Sequence, residues 1–169
     1  MKFNPSLEQA ICILILLATQ EPHIPLSSDR ASDILGVSRS YFKKISRKLV
    51  VSKIINSVPG TNGGLSLAKA SGEITLLEVI EAVEGDIDLY KGGEMIKNIF
   101  EDGIYVDRGL EVLKNVFEGS NTLLKNYYST FTVASLMKES MGRDETPKLN
   151  WNTMTLADFE FGIYDDKLN

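Results

Sequence analysis

The sequence predicts a mostly α fold with one small β-hairpin, and three stretches predict it. Residues 26–67 read as two short helices around a tight turn, then two alternating segments joined by a Gly-rich tip. The run AICILILLA at 10–18 has the apolar density of a buried helix. Between 106 and 131, apolar residues recur at alternating spacings of three and four, as in a long amphipathic helix. Two helices, a turn and a hairpin in that order are the layout of a winged helix-turn-helix. Here it is followed by a long helix suited to dimerisation.

Each element has a local reason. The first helix is expected from Ser6, because Ser6-Leu7-Glu8-Gln9 fits a capping box, and it ends before Pro22. Pro22 and Pro25 force an extended connection. A second helix starts after Ser27 and stops at Gly36, a natural left-handed residue. Ser38 caps the third helix, which runs to about Val51. Residues 54–58 and 65–68 alternate as strands around PGTNGG. Thr75-Leu76-Leu77-Glu78 is a second capping box, opening a helix that ends at Gly85. From Asp86 to Gly103 the signal is poor, with a short amphipathic piece around Met95–Phe100.

The long helix then aligns Leu110, Leu113, Phe117, Ser120, Leu124, Tyr127 and Phe131 in one heptad seam. A winged helix already closes its core with three helices and a hairpin. The seam is therefore expected to pair with a second copy of the chain rather than to cover its own domain. Beyond it, 139–150 is polar and contains Pro147, and WNTMTLADFEFGIYDD concentrates aromatic residues. That stretch is compatible with a short helix behind Thr155 or Asn152. Docking on the body and binding a partner both remain open for it. The division expected is 1–85 for the winged helix, 86–138 for connector and dimerisation helix, and 139–169 for the tail.

Charge separates along the chain. The net charge is −5, yet residues 1–70 hold nine Lys/Arg against four Asp/Glu, a net +5. Residues 71–169 are net −10. A basic module followed by an acidic one suits a DNA-binding half and a half that repels DNA. The nine residues of the apolar run are too few for a bilayer, which needs about 20. Glu8 and Gln9 stand where an export signal needs positive charge and no small-x-small cleavage site follows the run, so a cytoplasmic protein with no membrane contact is expected.

The third helix carries the chemistry. At 100° per residue, Ser40, Lys43, Lys44 and Arg47 fall opposite Phe42, Ile45 and Leu49, with Arg39, Tyr41 and Lys48 on the flanks. Ala31, Leu35 and Val37 complete the inner face, and Ser32 is small where the two helices cross. No acidic residue occurs from Val37 to Gly72, which separates this face from an ordinary solvated one. Arg39 and Ser40 near the helix start are placed for base edges, with Ser38 and Tyr41 beside them in the expected DNA-contact set. Lys43, Lys44, Arg47 and Lys48 suit phosphates. At the hairpin tip, Gly63 and Gly64 allow close backbone approach, with Thr61 and Asn62 as donors.

These residues also resemble a known family. Tyr41-Phe42-x-x-Ile45 with Leu49, Ser57-x-x-Gly60-x-x-Gly63-Gly64-x-x-Leu67, then Glu73-Ile74-Thr75, Val79-Ile80 and Val83-Glu84-Gly85 are similar to the Rrf2 family of bacterial winged-helix transcription regulators. The resemblance covers roughly 6–137. It implies a homodimer whose long helix crosses to the other subunit. Iron–sulfur members carry three clustered cysteines in the stretch matching about 86–105, and this chain has none there. The family's usual wing arginine is replaced by Pro59 and its wing aromatic by Leu65. Greater reliance on the recognition helix is therefore expected.

Other chemistry is excluded by inventory. Cys12 and His23 are the sole residues of their types, so neither a metal site built on them nor a nucleophilic triad can be assembled. Asp86-x-Asp88 begins like a calcium loop, but Tyr90 and Lys91 occupy the positions that need an oxygen ligand and the turn glycine. No cofactor and no catalysis are expected. The expected function is a sequence-specific regulator, a repressor, binding an inverted repeat in double-stranded DNA as a homodimer. The rival is a winged-helix interaction module that signals through a protein partner and binds DNA weakly.

Overall fold

The computed structural model describes residues 3–60, 63–93, 95, 104–142, 146, 148–155 and 157–158. Helix α1 spans Pro5–Thr19 and is central: it packs on the helices that follow at both ends of the chain. Its near-continuous apolar run is buried through Ala10, Ile13, Leu14, Leu16, Leu17 and Ala18. The start differs from the Ser6 capping box. Asn4 is the N-cap, Pro5 sits in the first turn, and Ser6 Oγ instead donates to Glu84 Oε1 at 2.7 Å. A contact to a residue far along the chain outcompetes the local cap.

Helices α2 (Ser28–Ile34) and α3 (Arg39–Val51) are joined through Gly36 at φ +64°, the left-handed turn expected of a glycine there. Strands β1 (Ile55–Val58) and β2 (Gly64–Leu67) pair antiparallel, Ile55 opposite Leu67 and Val58 opposite Gly64. Leu26 adds a bridge to Leu65 on the free edge of β2, its N–H donating at 2.9 Å and its carbonyl accepting at 2.8 Å. A 3₁₀ turn at Ser71–Glu73 leads to α4 (Leu76–Glu84). There the Thr75 box forms as expected: Thr75 N donates to Glu78 Oε2 at 2.8 Å and Glu78 N to Thr75 Oγ1 at 3.2 Å.

The long helix α5 runs Ile104–Ser129, about 39 Å at 1.5 Å per residue. Helix α6 (Val133–Met141) follows a tight turn and ends at Gly142. The turn is sewn to the start of α4 by Leu76 N to the Phe131 carbonyl at 2.8 Å and Val133 N to the Ile74 carbonyl at 2.9 Å. The short piece expected around Met95–Phe100 lies outside the described residues except Met95. One hydrophobic cluster joins α1, Phe42, Ile45 and Leu49 of α3, Val79, Ile80 and Val83 of α4, Met137 of α6, and Trp151. The winged-helix elements, α6 and the start of the tail therefore share a core.

Candidate nucleic-acid interface

The geometry of α3 follows from its first residues. Ser38 Oγ accepts the Tyr41 N–H at 3.3 Å and closes the first turn. Phe42, Ile45 and Leu49 then bury against α1 and α4. With that stripe inward, Arg39, Ser40, Tyr41, Lys43, Lys44 and Arg47 are exposed, as is Ser38. Among the described residues no carboxylate lies within ion-pair distance of Lys43, Lys44 or Arg47. The positive end of the α3 macrodipole points the same way as Ser38 and Ser40. Helices α2 and α3 and the hairpin border an open groove of about 550 Å³, lined by Asp29, Arg39, Lys43, Ser46, Arg47 and Ser57.

Two expected contacts have other engagements. Arg39 Nε lies 3.2 Å from Asp29 Oδ1 on α2. Both side chains are well exposed, and such pairs contribute at most about 1 kcal/mol, so a phosphate can displace the carboxylate. Lys48 is half-buried and its Nζ donates to the Val83 carbonyl in the last turn of α4. A cation there is stabilised by the helix C-terminus, which makes Lys48 a brace between α3 and α4. Neither engagement is visible from periodicity, because both partners lie outside the window from Val37 to Gly72.

The wing glycines have internal duties. A Cβ at Gly64 would come within 2.4 Å of the Leu26 carbonyl oxygen, and one at Gly63 within 2.1 Å of the Val58 carbonyl oxygen. The motif therefore records a tight tip and a close pass of β2 along Leu26. Thr61 and Asn62 lie outside the described residues. Pro59 is exposed at the base of the tip.

On α5, the residues of the expected seam divide. Phe117 stacks on Tyr90 with ring centroids 4.7 Å apart, and Leu124 packs against the core. Leu110 and Leu113 are half-buried, and Phe131 makes an edge contact with Tyr127 at 5.1 Å. The outward stripe is instead Tyr105, Val112, Val116, Leu123 and Tyr127, each more than half exposed. At 100° per residue these five fall within about 60° of one another, roughly a quarter-turn from the expected seam. Only Tyr127 belongs to both sets. Lys125 holds the connector to this helix by donating to Asp86 Oδ1, with Glu81 at 3.8 Å. That hydrogen bond from Lys125 holds the Asp86 carboxyl below the usual range.

The residues do not fit a cysteine-ligated iron centre. The single thiol, Cys12, lies on α1, where burial and then the Glu8 carboxylate push its pKa up, away from thiolate. Among the described residues no group of three His, Cys, Asp or Glu side chains converges. Among them, too, no helix is long and apolar enough to cross a membrane.

Comparison with known proteins places the family and the fold. Residues 3–139 match the Rrf2 family, described as an iron-dependent transcriptional regulator. YwgB of Bacillus subtilis (strain 168), a candidate HTH-type transcriptional regulator, is 41% identical over 101 residues, covering 60% of this chain and 65% of that protein. YffB of Lactococcus lactis subsp. lactis (strain IL1403), a second candidate regulator, is 35% identical over 98 residues, 58% of this chain and 63% of that one. The match thus spans a little under two thirds of these relatives. Among solved structures, CymR, the global cysteine regulator of B. subtilis, superimposes with TM-score 0.60 at 20% identity, over 82% of this chain and 98% of that chain. IscR of T. potens gives 0.58 at 19%, over 83% and 88%. At those identities the likeness shows the winged-helix fold.

Proposed function

This chain belongs to the Rrf2 family of transcriptional regulators, and we propose that it binds duplex DNA sequence-specifically, as a homodimer, through the outer face of α3. The observation that carries this reading is the row Lys43, Lys44 and Arg47, exposed and without an acidic partner among the described residues, beside the capped start of the helix. Point cations on a rigid helix neutralise phosphates, while Ser38, Arg39 and Ser40 at its start are placed for base edges. Lys48 takes no part in this contact, because its ammonium braces α4.

The outward stripe of α5 supports the dimer. A second copy is its proposed occupant, because a two-fold axis matches an apolar stripe to itself, and Gly119 leaves open space for close approach. Two recognition helices about 34 Å apart then read an inverted repeat. A dimer covering that span excludes other proteins from the promoter, which is repression by occupancy. Such a protein acts in the cytoplasm, where the DNA is. The interaction-module reading loses one support, since Trp151 of the aromatic tail is buried in its own chain.

Selection of bound duplexes from a random pool identifies the site. On that site, replacing Lys43, Lys44 and Arg47 with Ala is expected to weaken binding. It is also expected to flatten the salt dependence by about 0.9 in log–log slope for each phosphate no longer neutralised. A triple variant with the wild-type slope would overturn the reading.

A further inference from the structure

The tail solves a mechanical problem that α2 presents. This helix has seven residues, buries only Ala31 and Ser32, and packs on α3; its N-cap, Ser27, makes no side-chain cap. Its N-terminal end is tied to the rest of the winged helix by the Leu26–Leu65 bridge just before it and by the exposed Asp29–Arg39 pair. Residues 148–155 run across that end, beyond the segment that matches the family.

Their contacts form one continuous line. Lys148 Nζ donates to the Ala18 carbonyl. Leu149 N donates to the Thr19 carbonyl at 2.8 Å, and Glu21 N to the Leu149 carbonyl at 2.9 Å. Trp151 is 3% exposed, its N donating to Gln20 Oε1 at 3.1 Å and its Nε1 to Thr19 Oγ1 at 2.9 Å. Asn152 then does what a capping side chain would do. Its Oδ1 accepts the Ser27 N–H at 2.9 Å, while its Nδ2 donates to the Pro25 carbonyl at 3.1 Å. Arg30 of α2 closes the line, Nε donating to the Trp151 carbonyl at 2.9 Å and Nη2 to the Met154 carbonyl at 2.5 Å.

We infer that residues 148–155 are an intramolecular strap that clamps the N-terminal end of α2 onto α1, and so fixes how α3 is presented to DNA. The buried indole anchors the strap, and the Asn152 and Arg30 bonds transmit the hold to the helix. Because α3 packs on α2, releasing the strap lets the reading head shift, and affinity falls.

Hydrogen exchange and duplex titration on the full chain test this, comparing wild type with Asn152→Ala and Trp151→Phe. The Ala31 and Leu35 amides are expected to exchange about tenfold faster in Asn152→Ala, with α4 amides unchanged, as removal of one or two hydrogen bonds implies. Duplex affinity is expected to fall by a similar factor. Unchanged α2 exchange in both variants would overturn the strap. Faster exchange with unaltered affinity would overturn its coupling to DNA. The affinity arm rests on the proposed DNA binding: wild type that binds no duplex overturns that reading, while the exchange arm still decides the strap.

Discussion

A methyl group at position 64 would press on the Leu26 carbonyl oxygen, and both backbones there are tied into the bridge between Leu26 and Leu65. Gly64→Ala is therefore expected to destabilise the fold by about 1–3 kcal/mol, read as a lower urea midpoint. If the glycine served only to let DNA approach, stability would stay unchanged and duplex binding alone would weaken. The same division of roles limits what single residues reveal in a sequence. Ser38 and Thr75 are legible as caps because their partners, Tyr41 and Glu78, lie three residues away. Ser6 reads identically, yet Glu84 takes its hydroxyl. Burial works to raise the Glu84 carboxyl, but hydrogen bonds from Ser6 and Asn4 outweigh it and hold it low, so it stays an acceptor. Asp29 beside Arg39 and Val83 above Lys48 escape for the same reason. Partners distant along the chain leave no periodic trace.

Elements are more legible than contacts, because helix and strand boundaries depend on caps, glycines and periodicity. Helix α3 begins and ends where Ser38 and Val51 indicate, β1 starts one residue later than expected, and β2 lies one residue earlier. For α5 the sequence reveals a long amphipathic helix but not which stripe faces outward. An i, i+3, i+4 pattern fits two neighbouring stripes when a helix is apolar on both. Tyr90 covers part of the first by stacking on Phe117, a contact brought by a connector of poor sequence signal. The consequence is measurable. Val116→Asp with Leu123→Asp is expected to convert a dimer to a folded monomer in sedimentation, since a paired interface would bury unpartnered charge. Leu124→Asp is expected to lower the unfolding midpoint instead, because Leu124 packs on the core. Dimers surviving the double change would place the interface elsewhere.

For the whole molecule, the charge asymmetry in the sequence acquires a location. Cations project from α3, whereas Glu81, Asp86 and Asp88 gather where α4 meets the connector to α5. The acidic half can thus turn from DNA while the basic half engages it. The sequence leaves open whether the aromatic stretch of the tail docks on the body, and Leu149 and Trp151 join the cluster that holds α1 and α3. Composition could not show this, because an aromatic-rich stretch suits docking on the body and binding a partner equally well. Trp151 has one more property: it is the only tryptophan in 169 residues. The protein therefore carries a native fluorophore at the place where α1, the extended connection and the α2 end are laced together. Its emission is expected to be blue-shifted and shielded from iodide. Followed through denaturant, it is expected to redden before the helical circular dichroism collapses, since a non-helical strap opens locally more readily than the helices it packs on. Coincident curves would mean that the indole lets go only when everything does. Either way the chain reports on its own seam in light, without a label.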